Sequence, residues 1–306
     1  MLIDKIIQKK SGIITYGITP PRQTCSHEKI VEITGNHIER LKIMKIDGLV
    51  IYDVQDEKAR TSAERPFPFL PTLDPDFYYR NYLNKLTLPK VIYKAVSNHT
   101  KDSLTGFINE NSSQDVLAVF VGAASSRQKT VTKLEDAYKI NAQHDAGLTL
   151  GGVTIPERHL SSHNEHLRVI KKMENGCKFF ISQAVYNLEA SKNFLSDYYF
   201  YCNENGIDMV PILFTLTPCG SLKTLEFMKW LGINIPRWLE NELQNSEDIL
   251  DKSVDILKRQ FAELLDFAIE KKIPIGCNIE SVSIRKVEIE RSVQLVEEIR
   301  EIFGLT

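Results

Sequence analysis

Polar side chains follow several predicted strands of this chain, at positions where a parallel fold collects its ligand chemistry. The stretch 148–187 shows the pattern best, because an apolar strand, a helix and a second strand follow one another there. Such a βαβ unit normally has parallel strands and a right-handed connection. Glu157 and His159 follow its first strand, and Gln183 ends its second. Polar residues just after the strands lie where parallel α/β folds place their ligand chemistry, so they predict a ligand site there.

The same placement recurs along the whole chain. If the strands close into a barrel, their carboxyl ends meet at one mouth, where such folds carry their sites. Each polar residue there can instead serve only to satisfy loop backbone, so each candidate has a structural alternative. The candidates after strands 1, 2, 3, 5, 6, 7 and 8 in turn are Thr19, Arg22, Tyr52, Asp53, Ser97, Asn98, Glu157, His159, Gln183, Thr215, Thr217 and Glu280.

Three histidines invite a zinc interpretation. His159, His163 and His166 lie four and three residues apart, and Glu165 lies among them. However, the spacing places the first histidine in the loop before the helix, and the others suit a solvated helix face. We therefore predict no metal site.

Eight strands, nearly all followed by helices, are needed to position these residues. This count is that of a (β/α)₈ TIM barrel, and we predict a single domain over residues 1–306 with the ligand site at the carboxyl-terminal mouth. A dinucleotide fingerprint, a P-loop and a zincin motif are all missing from the sequence, so none of these sites is predicted.

Composition narrows the function classes further. The net charge of −2 gives no argument for nucleic acid or an anionic membrane surface. The sequence has no apolar run long enough to span a bilayer and no signal-peptide core at its start, so we expect a cytoplasmic protein. The five cysteines are scattered without a CxxC pair, which predicts buried free thiols. A homo-oligomer is compatible with the sequence, which does not specify one.

Over nearly its whole length the chain resembles methylenetetrahydrofolate reductase. The stretches that carry the resemblance are Thr19–Arg22 (TPPR), Ile155–His159 (IPERH), Glu165–Gly176, Ile181–Gln183 (ISQ), Pro211–Leu213 with Pro218, and Asn234–Leu239 (NIPRWL). Each stretch is weak alone, and their order and spacing make the set specific. The resemblance implies a barrel that binds FAD at its mouth and stacks a reduced folate, 5,10-methylene- or 5-methyltetrahydrofolate, on the flavin.

Site residues follow from the resemblance position by position. Gln183 is expected to hydrogen-bond the pterin, Leu222 to pack on the aminobenzoate, and Arg285 to lie near the folate. The other expected substrate-binding residues are Thr19, Tyr52, Glu157 and Tyr186. The residues expected to contact the flavin are Tyr93, His159, Glu165, Arg168, Lys171 and Lys172.

The sequence departs from the family where the chemistry happens. The strand 1 glutamate that acts as general acid is replaced by Gly17, and the aspartate that ends strand 4 is missing from Val121-Gly122-Ala123. Gly17 and Ala123 are expected to open space in the mouth. Glu280 ends the strand that neighbours strand 1 in a closed barrel and is the expected substitute acid.

Three alternatives follow from these departures. The protein is a folate-binding barrel of this family that holds a pterin partly through Gln183 and whose reductase activity is open, a flavoenzyme with another substrate, or a folate-binding accessory protein without FAD. In the third case its partner would be a methyltransferase or a corrinoid protein.

Overall fold

Eight parallel strands close into a barrel in which each strand pairs with the next and the last returns to the first. The computed structural model describes residues 1–57, 61–112, 115–123 and 129–305. The strands are β1 Ile14–Ile18, β2 Gly48–Ile51, β3 Lys90–Ala95, β4 Val116–Val121, β5 Thr149–Thr154, β6 Cys177–Ala184, β7 Ile212–Leu216 and β8 Ile275–Glu280. The predicted (β/α)₈ barrel is confirmed.

Helices surround the barrel. They are α1 Leu2–Ile7, α2 His27–Ile43, α3 Pro75–Tyr78, α4 Lys101–Asn111, α5 Leu134–Ala142, α6 His159–Ser162, α7 Glu165–Glu174, α8 Leu188–Asn205, α9 Leu222–Trp230, α10 Arg237–Gln244, α11 Ile249–Glu270 and α12 Lys286–Ile302. Short 3₁₀ turns lie at Val96–Asn98 and Pro156–Arg158, and a π-helical turn lies at Tyr79–Leu83.

Three helix predictions need correction. The sequence predicts one helix near 76–84, whereas the structure has a short α-helix at Pro75–Tyr78 that widens into the π-helical turn. His159 was expected in a loop, but it begins α6 directly after the 3₁₀ turn. The sequence analysis does not predict helix α10, whose eight residues follow Pro236 and overlap the NIPRWL motif.

Two glycines let β5 and β6 pack closely. A Cβ added at Gly151 would lie 2.5 Å from the ring of Phe179, and one at Gly152 would lie 2.6 Å from the ring of Phe180. Phe179 belongs to the cluster inside the barrel and Phe180 to the cluster between barrel and helices. The glycines that interrupt the apolar run therefore accommodate one aromatic ring on each side of the sheet.

The hydrophobic core has two layers. The inner layer fills the barrel, and helix α1 contributes Leu2 and Ile6 to it together with strand residues such as Val50, Val91 and Leu213. The outer layer packs the helices on the barrel wall. Apolar filling of the inner layer confines polar chemistry to the carboxyl-terminal mouth.

The described chain contains no helix with the length and apolar character needed to cross a membrane. The five cysteines are free thiols, and four of them are buried, as predicted.

Candidate ligand-binding site

Strands β8, β1 and β2 form one wall of the mouth. The parallel register places Gly17 of β1 beside Glu280 of β8. A Cβ at Gly17 would lie 2.6 Å from Cε2 of Tyr52 and 3.0 Å from its hydroxyl. The expectation that Gly17 opens space is therefore wrong, because the ring of Tyr52 fills the volume that a side chain at position 17 would need.

A chain of hydrogen bonds between polar side chains holds the Tyr52 ring in place. The Asn278 amide nitrogen donates to the Tyr52 hydroxyl at 2.7 Å and to the Thr215 hydroxyl at 3.2 Å. Its amide oxygen accepts from the Thr15 hydroxyl at 2.9 Å, and Thr215 in turn donates to the Ser182 carbonyl at 2.6 Å. Since these groups are buried and mutually satisfied, they hold Tyr52 in one orientation.

Glu280 is the carboxyl group next to this chain. It lies two residues after Asn278, so both side chains point into the barrel. Burial raises the pKa of Glu280 from its ordinary value of 4.5 to about 7, although a hydrogen bond from the Tyr52 hydroxyl opposes the shift. A group with this pKa is half-protonated near neutral pH, which is the condition for a general acid or base.

The β3 and β4 side of the mouth is less polar. The Tyr93 ring meets the Tyr52 ring edge-on, with 4.8 Å between centroids, and burial raises the pKa of its hydroxyl. Val121 and Gly122 are half-buried and Ala123 is exposed, while Ala124 lies outside the described residues. The family aspartate has no carboxylate substitute among these residues.

Gln183 lies at the rim of the mouth, where β6 is irregular. The pairing of β6 with β7 shifts register between Ile181 and Ala184. The Gln183 side chain is half-buried, and its amide nitrogen donates to the carbonyl of Leu231, just after α9, at 3.0 Å. Gln183 therefore connects the β6 rim to the end of α9.

The loop after β2 reaches the same helix. The Trp230 indole donates to the Ala63 carbonyl at 3.0 Å, and the Arg65 guanidinium lies 4.7 Å from the Trp230 ring centre and 5.1 Å from that of Phe227. The far end of the loop pairs through Thr72 with the segment after β1. Segment 61–73, which we call the strap, thus spans the rim from β2 to α9. Arg60, the residue before it, lies outside the described residues.

Arg285 holds two rim loops together. Its guanidinium donates to the Gly220 carbonyl at 2.8 Å and to Glu288 at 2.9 Å. Glu288 is fully buried and also accepts from the Thr224 hydroxyl at 3.0 Å. Leu222, at the start of α9 beside this contact, is 54% exposed and available to a ligand.

Three other expected substrate contacts have different surroundings. Thr19 is exposed after β1. Tyr186 is fully buried, and its hydroxyl donates to the Thr217 carbonyl at 2.6 Å, so the described contacts give it a packing role. Glu157 is buried with both carboxylate oxygens unpartnered among the described residues, and burial, with the nearby charge of Glu165, raises its pKa to about 8.

Three of the residues expected to hold a flavin surround one cavity outside the barrel. Arg168, Lys171 and Lys172 line a volume of about 160 Å³ between α5 and α7. However, the Lys171 ammonium is paired with Glu135 at 2.5 Å, and that of Lys172 donates to the Val153 carbonyl at 2.5 Å. This volume is smaller than the roughly 300 to 1,000 Å³ of typical ligand and cofactor pockets.

His159 and Glu165 are turned into the protein. His159 is 1% exposed, and its Nε2 lies 2.9 Å from a carboxylate oxygen of Asp197. Glu165 is equally buried and accepts hydrogen bonds from the Thr154 hydroxyl and the Ile155 amide. Neither side chain is free to meet a flavin in this arrangement, so the residues present do not fit FAD in the way that the resemblance implies.

Comparison with known proteins gives a family match and a relative that covers the whole chain. The methylenetetrahydrofolate reductase family model matches residues 148–271. An uncharacterized protein from Clostridium thermocellum, whose structure binds two copies of 5-methyl-5,6,7,8-tetrahydrofolic acid, is 56% identical, with 99% of this chain and 100% of that chain covered and a TM-score of 0.89. The chain belongs to the methylenetetrahydrofolate reductase family.

A more distant structure shows the fold alone. The oxygenating constituent of 3,6-diketocamphane monooxygenase from Pseudomonas putida, in complex with FMN, is 10% identical, with coverage of 95% and 96% and a TM-score of 0.53. None of the curated proteins matches the sequence.

Sequence reasoning missed the residues that complete the mouth of this family member. Asn278 lies in the middle of an apolar strand and gave no sign of contacting Tyr52. Arg65 and Trp230 are 165 residues apart, so no local pattern indicated that the strap docks on α9. The alternation of inward and outward residues in β8 was the one available signal, because it places Asn278 and Glu280 on the same side.

Proposed function

We propose that this protein binds a reduced folate in the mouth of its barrel. The observation that carries the proposal is the 56% identity, over 99% of the chain, to the protein whose structure binds 5-methyltetrahydrofolate. The placement of Glu280, Tyr52, Gln183 and Leu222 at or after the carboxyl ends of strands of one closed barrel supports it.

Each of these side chains suits one part of a folate. Gln183 offers an amide to the pterin ring, whose edge carries both donors and acceptors. Exposed Leu222 offers an apolar contact to the aminobenzoate. Glu280, with a pKa of about 7, can donate a hydrogen bond when protonated and accept one when ionised. It is the residue of the mouth best suited to hold a proton next to a bound pterin.

The residues expected to hold FAD are different from those proposed to bind folate. FAD would supply hydride-transfer chemistry, but His159 and Glu165 are buried and internally bonded. Lys171 and Lys172 are engaged with protein oxygens. We infer that folate binding in this family member does not depend on FAD, and we assign no reaction step to it. The absorbance spectrum of the purified protein tests this inference, because a bound flavin would give a yellow preparation.

Calorimetric titration with 5-methyltetrahydrofolate tests the folate proposal. The wild-type chain is expected to bind it. Gln183→Ala is expected to weaken binding by about 1 to 3 kcal/mol, which is the cost of leaving a buried polar partner unpaired. Gln244→Ala is the matched control, because Gln244 is an exposed glutamine of α10, outside the mouth.

The outcomes separate the alternatives. Absence of folate binding by the wild-type chain would refute the proposal. Binding that Gln183→Ala leaves unchanged would remove Gln183 from the site. Oxidation of added NADH or NADPH with 5,10-methylenetetrahydrofolate, lost in Glu280→Gln, would favour the reductase alternative over the accessory one.

A further inference from the structure

Three potential metal ligands converge outside the barrel, among the helices that follow β5 and β6. His159 comes from α6, His166 from α7 and Asp197 from α8. One ligand atom of each residue lies within 4.8 Å of the other two. Within the group, His159 Nε2 and Asp197 Oδ2 are 2.9 Å apart. The cluster is therefore held by three separate helices rather than by one surface.

The two imidazoles are buried with unused nitrogen atoms. His159 is 1% exposed and His166 is 9% exposed. The Nδ1 atom of each ring is buried and has no hydrogen-bond partner among the described residues. Burying an unpartnered polar atom is costly, so a buried imidazole nitrogen without a partner calls for a ligand or another function. In His159 the nitrogen that faces Asp197, and would bind an ion there, is Nε2. The Asp197 side chain is 49% exposed, which gives an ion a path from solvent.

The surroundings favour a fixed site. The His159 ring packs against Phe194 and the ring of His166, and the ring of Tyr201 packs against His166. These aromatic contacts restrict the ring orientations of both histidines. Ligands that are already oriented lose less entropy when they bind an ion.

We propose that His159, His166 and Asp197 bind a divalent transition metal ion, with Zn²⁺ as the expected occupant. Two imidazoles and one carboxylate with a fourth position open to water form a common zinc donor set. In a tetrahedral site with bonds of about 2.0 to 2.1 Å, ligand atoms are about 3.4 Å apart. Binding therefore requires the His159–Asp197 pair to separate by roughly half an ångström, which the exposed Asp197 side chain can provide.

The ion would connect α6, α7 and α8 just after β5. This segment includes the turn that carries Glu157, so the metal would stabilise one side of the rim without contacting a ligand in the mouth. The proposal does not rest on folate binding.

Titration of the chelator-treated full chain with Zn²⁺ and with Co²⁺ tests the site. We expect one ion per chain, a tetrahedral-type Co²⁺ visible spectrum and a rise in the melting temperature with Zn²⁺. Asp197→Asn and His166→Gln are expected to weaken the affinity on the order of 100-fold, the upper end of losses seen for outer-shell changes. Both variants change less buried volume than a substitution at His159.

His163→Asn is the matched control. His163 is exposed, lies in the turn between the two proposed ligands and has a φ of 48°, a conformation that asparagine tolerates. It is expected to bind the ion as the wild type does. Absence of stoichiometric metal binding by the wild type would overturn the proposal. So would an affinity that folded Asp197→Asn and His166→Gln both retain, because the ion would then lie elsewhere.

Discussion

Substituting alanine for Gly17 tests how the mouth compensates for its missing strand 1 carboxylate. The new Cβ would lie 2.6 Å from Cε2 of Tyr52 and 3.1 Å from its Cζ, both too close for real contacts. The Tyr52 ring cannot simply rotate away. It packs against the Tyr93 ring, and its hydroxyl accepts a hydrogen bond from the Asn278 amide at 2.7 Å. The substitution must therefore displace the ring and break the bond to Asn278.

Two costs follow from this displacement. Forcing an extra methyl group into a packed site costs about 1 to 3 kcal/mol. Leaving the buried Asn278 amide hydrogen without its acceptor costs about 1 to 3 kcal/mol more. The lower chain entropy of alanine returns about 0.5 to 1 kcal/mol. We expect Gly17→Ala to lower the free energy of unfolding by about 3 kcal/mol, the middle of that sum.

Urea denaturation of a double-mutant cycle with Tyr52→Ala measures this coupling. If the clash is the cause, Gly17→Ala should cost almost nothing in the Tyr52→Ala background. Gly106→Ala, in the interior of α4 with open space around it, is the control and should stabilise the protein by about 1 kcal/mol. A cost for Gly17→Ala that is the same in both backgrounds would refute the reasoning.

Three further predictions concern the rim. The pKa of Glu280 is raised from 4.5 to about 7 in the folded chain, so the wild type should lose stability as pH rises through that window. Glu280→Gln should remove this loss, and its advantage in urea denaturation should grow to about 3 kcal/mol at pH 7 and change little above that pH. Arg285→Ala should lower the free energy of unfolding by about 1 to 3 kcal/mol, because buried Glu288 loses its cation; the partial exposure of Arg285 keeps the loss within this range. Adding Glu288→Gln should recover most of the lost stability. No recovery in the double variant would contradict this explanation. Arg65→Ala should lower the free energy that holds the strap against α9 by about 1 kcal/mol, which is the typical contribution of cation–π contacts. Limited proteolysis should then cut within 61–73 several times faster than in the wild type. An unchanged rate would show that Arg65 does not hold the strap.

The family carries a glutamate on strand 1 where this protein has Gly17. Other side chains of the mouth fill the space and supply a carboxyl group instead. Gly17 leaves the room, Tyr52 fills it, and Glu280 brings a carboxyl group from the neighbouring strand. This arrangement gives a concrete reason why a carboxylate at position 17 is incompatible with the present side chains. The folate proposal requires one of these groups to face the pterin.

Much of the fold was readable from local patterns. Alternation of apolar strands with amphipathic helices predicted the number of strands and their order, because each element must bury one face and parallel strands need helical connections. The sequence predicts a helix from Leu188 to Asn205, and α8 has these bounds, with Asn187 accepting from the Ala190 amide and Gly206 in a left-handed conformation at its end. The π-helical turn after α3 was missed, since it depends on tertiary packing rather than on a sequence period.

For the candidate site, the sequence predicts the residues that end the strands but not the contacts between distant parts of the chain. The sequence by itself determined which residues end the strands, and thus placed Glu280 and Gln183 at the mouth, because strand geometry repeats every two residues. It did not determine that Tyr52 occupies the volume above Gly17. Nor did it determine that His159 and Asp197 meet across α6 and α8. Contacts between residues far apart in the chain depend on strand register and on the direction of each side chain, and only the closed barrel fixes both.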